Sequence, residues 1–345
     1  MKLSRIFQFA TGIALAAGGL WIFFQKVDIN TLRAELFACN PVTVVLLAAC
    51  AVMTIILRAW RWRVMLPDSP HAHKRALFSI VAIAFMLNNI LPARLGEAAR
   101  VILLWKKNGY KPAQSVGSIV MERIFDTVAF MACFFIPVFM LRSLQTVQVT
   151  GAFFFHKSLT LQLFAVLFFI IDVCVLLALL MYARFPKAAS GLAQRLLRLF
   201  PHALQVKAQT VGADVFSNLE WLFSLKKTIL VIMYTALQML TYGAMVMIVT
   251  AEHSFTLLHG LFANSFAAMG AAIPLAPGFV GTLHAVLLQG LLYCGLPREK
   301  AVVVTLLYHA IPYLTVTALG LFYFFRTKVT FKEISGAKSK EGITP

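Results

Sequence analysis

The sequence predicts an all-helical, polytopic membrane protein with about six full spans and two re-entrant hairpins arranged as an inverted repeat. Of its 345 residues, 60% are hydrophobic and only 13% are charged, which leaves too few polar side chains to cover a soluble core. The formal net charge is +18, and the basic residues lie at the ends of long apolar runs, so a membrane surface explains them better than nucleic acid does. This composition excludes a secreted disulfide scaffold, a disordered chain and a soluble Rossmann-type enzyme.

Six apolar runs approach or exceed the length, about 20 residues, that a helix needs to cross a bilayer. The alternative for the first run is a cleaved signal peptide. Its apolar residues continue through Trp21 to Phe24 without a polar break, so we predict a retained anchor. The six runs are 6–24, 42–57, 113–141, 159–182, 228–250 and 301–325.

The distribution of basic residues predicts the orientation and the hairpins. Cytoplasmic loops are enriched in Lys and Arg, and the basic cluster at 106–111 would be external if segment 77–105 crossed the membrane once. We therefore predict that 77–105 is a re-entrant hairpin, open to the cytoplasm, and that 255–292 is a second hairpin entering from the opposite face. Both termini, including the tail 327–345, are expected in the cytoplasm. The same is expected of the basic residues after the second run, which are Arg58, Arg61, Arg63, Lys74 and Arg75.

The two halves of this single membrane domain, 1–345, resemble each other. Repeat half one (1–150) and repeat half two (159–326) both have the order span, span, hairpin, span. An inverted repeat of this kind places a transporter's substrate site at the interface between the repeats. The alternative is coincidence in a chain rich in Leu, Ala and Gly. The residue pairs with matching spacings are Pro92 with Gly96, Pro274 with Gly278, Gly109 with Glu122, and Gly295 with Tyr308.

Two short segments, 88–100 and 121–126, carry ionisable and amide side chains within apolar sequence. An Arg at the bilayer centre costs about 2.5 to 3.5 kcal/mol, so these groups must face one another, a cavity or a charged ligand. We predict a net-neutral cluster of three arginines and three carboxylates, in which Glu97 and Arg100 can pair at i, i+3. Arginines can bind phosphate with two hydrogen bonds, which favours a binding role for the cluster. The alternative is a purely structural ion network that holds the hairpin against the span. The candidate binding residues are Asn88, Asn89, Arg94, Glu97, Arg100, Glu122, Arg123 and Asp126.

The second hairpin contains prolines and glycines that predict a broken helix. The N-terminus of a half-helix there would direct free amides at an anion. His284 and His309 could carry protons, or could be hydrogen-bonded packing residues. The candidates in this half are Pro274, Pro277, Gly278, Gly281, His284 and Tyr308.

Four ordered motifs extend over nearly the whole chain: Arg58-x-x-Arg61-Trp62, Asn89-x-x-Pro92-x-Arg94-x-Gly96-Glu97-x-x-Arg100, Glu122-Arg123-x-x-Asp126 and Pro274-x-x-Pro277-Gly278-x-x-Gly281. With these motifs the chain resembles the flippase-like integral membrane family that includes the transmembrane region of lysylphosphatidylglycerol synthase. The resemblance implies a bacterial inner-membrane protein that binds or translocates a polar lipid. Two departures matter. The chain stops soon after its last apolar run, so we do not expect the aminoacyl transferase activity of longer proteins. Family members often have an acidic residue in place of His284 and an arginine in place of Tyr308, which leaves most of the site to the first hairpin.

The expected function is a flippase or transporter of a phosphate-bearing lipid or lipid-linked intermediate, and not an enzyme. No catalytic residue, cofactor or metal is predicted, because the five cysteines are scattered without CxxC or zinc spacing and no aspartate cluster suits Mg²⁺. The partners expected are a phosphate headgroup and the bilayer, not nucleic acid. Two alternatives stay open: a membrane glycosyl- or phosphotransferase acting on a lipid phosphate, and a non-catalytic partner of a cell-envelope synthesis enzyme that docks through the basic segment 190–227.

Overall fold

The computed structural model describes residues 14, 17–24, 33–34, 39–67, 74–91, 94–145, 147–149, 159–185, 191, 195, 220–251, 255–272 and 277–329. These residues are almost entirely helical, as the composition predicts. In chain order the α-helices are α1 (Pro41–Met65), α2 (Lys74–Ile90), α3 (Leu95–Asn108), α4 (Pro112–Met140), α5 (Arg142–Gln145), α6 (Leu161–Arg184), α7 (Leu225–Val249), α8 (Leu257–Ala272), α9 (Thr282–Tyr293) and α10 (Arg298–Arg326). Two strands of two residues, β1 (Gln148–Val149) and β2 (Leu159–Thr160), pair antiparallel before α6.

Five of these helices, α1, α4, α6, α7 and α10, are long and apolar enough to cross a membrane. They correspond to five of the six predicted spans. The first predicted run lies mostly outside the described residues, but its last part, residues 17–24, is helical. The tail beyond residue 329 and most of segment 190–227 also lie outside them. The protein is therefore an all-helical, multi-pass membrane protein.

Helix α1 is longer than its apolar run. The Asn40 side chain accepts a hydrogen bond from the Val42 amide at 2.9 Å, and Pro41 occupies the first turn, so this end is well capped. The run was predicted to end at Leu57, yet the helix continues to Met65. The two extra turns carry arginines and aromatic residues into the protein interior, and they form one wall of the site described below.

Each predicted hairpin is a pair of short helices. Helices α2 and α3 have 17 and 14 residues, and α8 and α9 have 16 and 12. At about 1.5 Å per residue each is shorter than the roughly 30 Å of hydrocarbon. The predicted breaking residues Pro92 and Pro274 lie outside the described residues. Within each pair the arms touch closely: a Cβ at Gly96 would collide with the Ala84 carbonyl, and one at Gly270 with the backbone of Thr282 and Leu283.

Each helix pair packs against spans from both halves of the chain. Helix α1 lies along α7, α2 along α10, and α8 along α4, α7 and α9, whereas α6 packs mainly on α4. One core cluster joins α1, α2 and α3 around Trp62, and another joins α7, α8, α9 and α10. The space between the two clusters is where the charged side chains meet.

Candidate functional site

Two buried carboxylates on α4 form the centre of the site. Glu122 is fully buried and Asp126 is 3% exposed. Arg61 donates to Asp126 with 2.6 Å between Nη1 and Oδ1, and Arg100 donates to Glu122 with 2.8 Å between Nη2 and Oε2. Arg58 lies 3.3 Å from Glu122 and 3.6 Å from Asp126. Guanidinium groups from α1 and α3 therefore hold both carboxylates.

Arg123 extends this network towards the first helix pair. Its Nη2 lies 2.9 Å from Glu122 Oε1 and 3.5 Å from Asp126 Oδ2. Its Nε lies 3.8 Å from Glu97 on α3. The Arg123 side chain is 34% exposed, which makes it the most accessible arginine of the ion-paired group.

Arg94 connects the two helix pairs without making a salt bridge to any residue that the structure describes. It stands just before α3 in the left-handed conformation, with φ 52° and ψ 39°. Its Nη2 donates to the Ala271 carbonyl at 2.8 Å, and its guanidinium lies 5.7 Å from the Phe279 ring centroid. Left-handed backbone is costly for a residue with a Cβ. The packing around Arg94 offsets this conformational cost. Its positively charged guanidinium lies between the two helix pairs.

A cavity of about 250 Å³ occupies that space. Its walls come from α1, α2, α3, α4, α7, α8 and α10, together with the turn before α9. Seven of the predicted site residues line it: Asn88, Asn89, Arg94, Glu97, Arg123, Asp126 and Tyr308. Arg58, Asn264, Phe279, His309 and Tyr313 also line it.

The predicted asparagines fix the ends of the break in the first helix pair. The side-chain oxygen of Asn88, Oδ1, accepts a hydrogen bond from the Gly96 backbone amide at 2.8 Å. The side-chain amide of Asn89 donates to Thr317 Oγ1 at 2.9 Å, and Tyr313 OH donates to the Asn89 backbone carbonyl at 3.2 Å. These bonds tie α2 to the start of α3 and to α10, so both asparagines position the cavity wall.

Two histidines fix the break in the second helix pair. His284 Nδ1 accepts from the Gly281 amide at 3.1 Å, so in neutral His284 the proton is on Nε2. That Nε2 lies 3.3 Å from Nδ1 of His309, and His309 also hydrogen-bonds the backbone of Gly278. Both glycines have positive φ, 58° at Gly278 and 87° at Gly281. The Gly281 amide, at the start of this half-helix, therefore binds a side chain of its own helix.

Two further polar side chains complete the cavity. Tyr308 OH donates to Asn264 Oδ1 at 2.8 Å, and Arg58 Nη2 donates to Tyr242 OH at 2.9 Å. Asn264 is 3% exposed, and its Nδ2 has no hydrogen-bond partner in the described part of the chain. The cavity wall thus contains a side-chain amide donor without a hydrogen-bond partner among the described residues.

Residues 9–320 match the model of the family described as the lysylphosphatidylglycerol synthase TM region. The chain belongs to this family. A UPF0104 membrane protein of Methanocaldococcus jannaschii is 37% identical over 54 residues, which is 16% of this chain and 23% of that protein. The match therefore spans less than a quarter of that relative's length. The family resemblance predicted from the four motifs is confirmed.

In this member of the lysylphosphatidylglycerol synthase TM region family, the predicted charge balance of the cluster is wrong. The prediction assigned Arg58 and Arg61 to the cytoplasm because they follow an apolar run. In the structure they are 6% and 0% exposed and bind the carboxylates of α4. The site therefore has five guanidinium groups against three carboxylates, a formal excess of two positive charges. The i, i+3 spacing of Arg58 and Arg61, with Trp62 next to them, was the signal that could have revealed a buried helical face.

The predicted pairing of Glu97 with Arg100 is also wrong. Segment 95–108 is helical, but Arg100 binds Glu122 on α4, and its guanidinium carbon lies 4.2 Å from the centroid of the Trp62 ring. Glu97 lies one turn earlier and faces Arg123 instead. The buried Glu122 carboxylate and the Trp62 ring together stabilise Arg100 more than the local pair with Glu97 would. Exposed i, i+3 pairs contribute only a few tenths of a kcal/mol.

Guanidinium groups outnumber carboxylates at the site. Within the described ranges, no group of three or more His, Cys, Asp or Glu side chains is placed to hold a metal ion. Glu122 and Asp126 are already surrounded by arginines. Their chemistry is to position guanidinium groups around a cavity.

The histidine pair gives a stability prediction. His284→Ala removes the acceptor of the Gly281 amide and the partner of His309, so we expect a loss of about 1 to 3 kcal/mol in the free energy of unfolding, measured in detergent. His259→Ala is the matched control, because His259 Nδ1 accepts from the Thr256 amide at 3.2 Å near the exposed start of α8. Its loss should be smaller. Equal losses in both variants would show that the pair adds nothing beyond helix capping.

Proposed function

We propose that this protein moves a polar, phosphate-bearing lipid or lipid-linked intermediate across the inner membrane of a bacterium. Membership of the lysylphosphatidylglycerol synthase TM region family supports a role with lipids. The sequence has no nucleotide-binding loop, and we propose that movement is downhill or coupled to an ion gradient. The headgroup enters the cavity of about 250 Å³, while the acyl or prenyl chains stay in the bilayer.

The observation that carries this proposal is an excess of positive charge around the cavity, together with hydrogen-bond donors that have no partner among the described residues. Arg94 makes no salt bridge within the described residues, and its Nε lacks a hydrogen-bond partner. Asn264 Nδ2 also lacks one. A phosphate brings negative charge and several acceptor oxygens, which is what such a wall can satisfy. Arg94 is the group assigned to the headgroup, and the ion-paired arginines hold the wall around it.

The inverted repeat with two re-entrant hairpins belongs to this proposal. The helix lengths recur in order: α1, α2, α3 and α4 have 25, 17, 14 and 29 residues, and α7, α8, α9 and α10 have 25, 16, 12 and 29. Arg58 and Tyr242 are each seventeen residues after the first residue of their helix, α1 or α7, and they hydrogen-bond to each other. Contact between equivalent positions is expected where a pseudo-two-fold axis passes between repeats, and in this proposal the cavity lies at the repeat interface.

Cysteine labelling tests the orientation of the repeats. In a variant without the five native cysteines, a cysteine at Lys107 should react only from the cytoplasm and one at Arg298 only from outside. The reason is that Lys107 follows the first hairpin, which opens to the cytoplasm in the proposed topology, whereas Arg298 follows the second, which enters from the opposite face. Both termini should be protected from external protease. Labelling of both positions from the same side would contradict the inverted repeat.

Reconstitution into liposomes tests the function. With the pure protein, a fluorescent phospholipid in the inner leaflet should become accessible to an external quencher, while protein-free liposomes and a phosphate-free glycolipid change little. The proposal that the protein is not an enzyme predicts that the recovered lipid is chemically unchanged. Altered lipid would identify a transferase. Neither transfer nor alteration would favour a non-catalytic partner of an envelope-synthesis enzyme.

A further inference from the structure

Asp172 is an intramembrane carboxylate outside the cavity described above. It lies on α6, eleven residues after Leu161 and twelve before Arg184, so it is near the middle of the span. The mean hydropathy of this span is 2.7, the highest of the five candidate spans that the structure describes. An ionisable residue at such a depth is energetically expensive and is therefore a candidate functional residue.

The Asp172 side chain is buried on the one face of α6 that packs against α4. Much of α6 is exposed, but Leu161, Ala165 and Asp172 are buried at spacings of four and seven residues. Asp172 is only 4% exposed, and its Oδ1 has no hydrogen-bond partner within the described residues. Burial of a carboxyl group whose Oδ1 has no hydrogen-bond partner favours the neutral acid over the carboxylate.

Asp172 lines a second cavity of about 290 Å³ between α4 and α6. The wall is otherwise mostly apolar, and the hydroxyl of Thr127 there already donates to the Arg123 carbonyl at 2.8 Å. The apolar lining residues are Val120, Ile124, Val128, Met131, Ile171 and Val175.

Arg123 lines both cavities. Of the charged side chains described on the elements that pack against α6, Arg123 is the one that lines the second cavity together with Asp172. Glu122 and Asp126 on α4 are held by the arginines of the central site, and Arg142 on α5 is exposed at the end of the span. Strand β2 has no charged residue. Arg123 therefore lies where the central cavity and the cavity of Asp172 adjoin.

We propose that Asp172 is a proton-binding site and that Arg123 couples its proton to the occupancy of the central cavity. While Arg123 is held by Glu122, Asp126 and an anionic ligand, Asp172 keeps its proton. When the anion leaves, Arg123 turns to the second cavity, the Asp172 carboxyl loses H⁺ to solvent, and the carboxylate pairs with the guanidinium. A proton and an anionic headgroup are then carried together. The cargo in this scheme rests on the proposed function, whereas the proton site does not.

Infrared spectroscopy tests the proton site directly. In a detergent without ester groups and with inorganic phosphate as the anion in the central cavity, the wild-type protein should show the C=O band of a protonated carboxyl at neutral pH. Asp172→Asn should lose this band, and the control Glu299→Gln, at the exposed start of α10, should keep it. Because Asn mimics the neutral acid, Asp172→Asn should unfold at the same temperature as the wild type. An unchanged band in Asp172→Asn, or clear destabilisation by this substitution, would overturn the proton site.

The coupling has its own tests. Arg123→Gln removes the cation that lines the second cavity together with Asp172, so the pH at which the band disappears should rise by about one unit or more. An unchanged midpoint would overturn the coupling. In proteoliposomes a proton gradient should accelerate transfer of the fluorescent phospholipid by the wild type and not by Asp172→Asn. An equal response of the two would also overturn the coupling. If the wild type moves no lipid, the proposed function fails, and the infrared comparison still decides the proton site.

Discussion

Arg94→Gln is expected to reduce lipid transfer by about ten- to a hundredfold while the protein stays folded. A hydrogen bond to a charged group contributes about 1.5 to 3 kcal/mol, and about 1.4 kcal/mol corresponds to a tenfold change. Arg94 has no carboxylate partner among the described residues, so its removal leaves no buried charge unpaired. The loss in stability should be limited to the bond to the Ala271 carbonyl, about 1 kcal/mol. Transfer in proteoliposomes and thermal unfolding in detergent measure the two effects.

Two variants serve as controls for Arg94→Gln. Arg142→Gln removes an arginine that is exposed on α5, so both transfer and stability should remain at the wild-type level. Arg94→Lys keeps the charge but not the planar donor group, so it should restore part of the transfer. Wild-type transfer by Arg94→Gln would contradict the assignment of Arg94 to the headgroup.

Glu122→Gln is expected to have the largest effect on stability of any single substitution in the site. Glu122 is fully buried and lies within 3.5 Å of four guanidinium groups, those of Arg58, Arg61, Arg100 and Arg123. Removing one partner from a buried ion network typically costs about 3 to 5 kcal/mol, because the remaining charges stay buried. The lower unfolding temperature in detergent should be accompanied by loss of transfer, since the cavity wall depends on these arginines.

The matched control is Glu299→Gln, which changes the same residue type at the exposed start of α10. It should unfold like the wild type. The double variant Arg100→Gln with Glu122→Gln should recover part of the stability that the single substitution loses, because it reduces the unpaired positive charge. A Glu122→Gln protein as stable as the wild type would contradict the network.

The spans and the breaks could be predicted from the sequence because each depends on local properties. Apolar length predicts a helix in a bilayer, and five predicted runs correspond to helices of spanning length. The polar segments 88–100 and 121–126 were predicted to meet, and Arg100 binds Glu122. This prediction was correct because charged groups within apolar sequence are costly to bury unless they pair with one another.

The partners within the site could not be predicted because they depend on how helices face one another. Arg58 and Arg61 follow an apolar run, and a rule based on the position of Lys and Arg cannot distinguish a buried arginine from a cytoplasmic one. Asp172 was not selected as a candidate, because a single acidic residue in a very apolar run has no motif around it. Its importance depends on the face of α6 that packs on α4.

Binding of intact lipids to the purified protein is the most direct test of the claim that the central cavity holds a phosphate headgroup. Native mass spectrometry can compare phosphatidylglycerol with a phosphate-free glycolipid that has the same acyl chains. The wild type should retain phosphatidylglycerol in preference to the glycolipid, and Arg94→Gln should lose the preference while Arg142→Gln keeps it. Equal retention of both lipids by the wild type, or the same preference in Arg94→Gln, would contradict a phosphate site at Arg94.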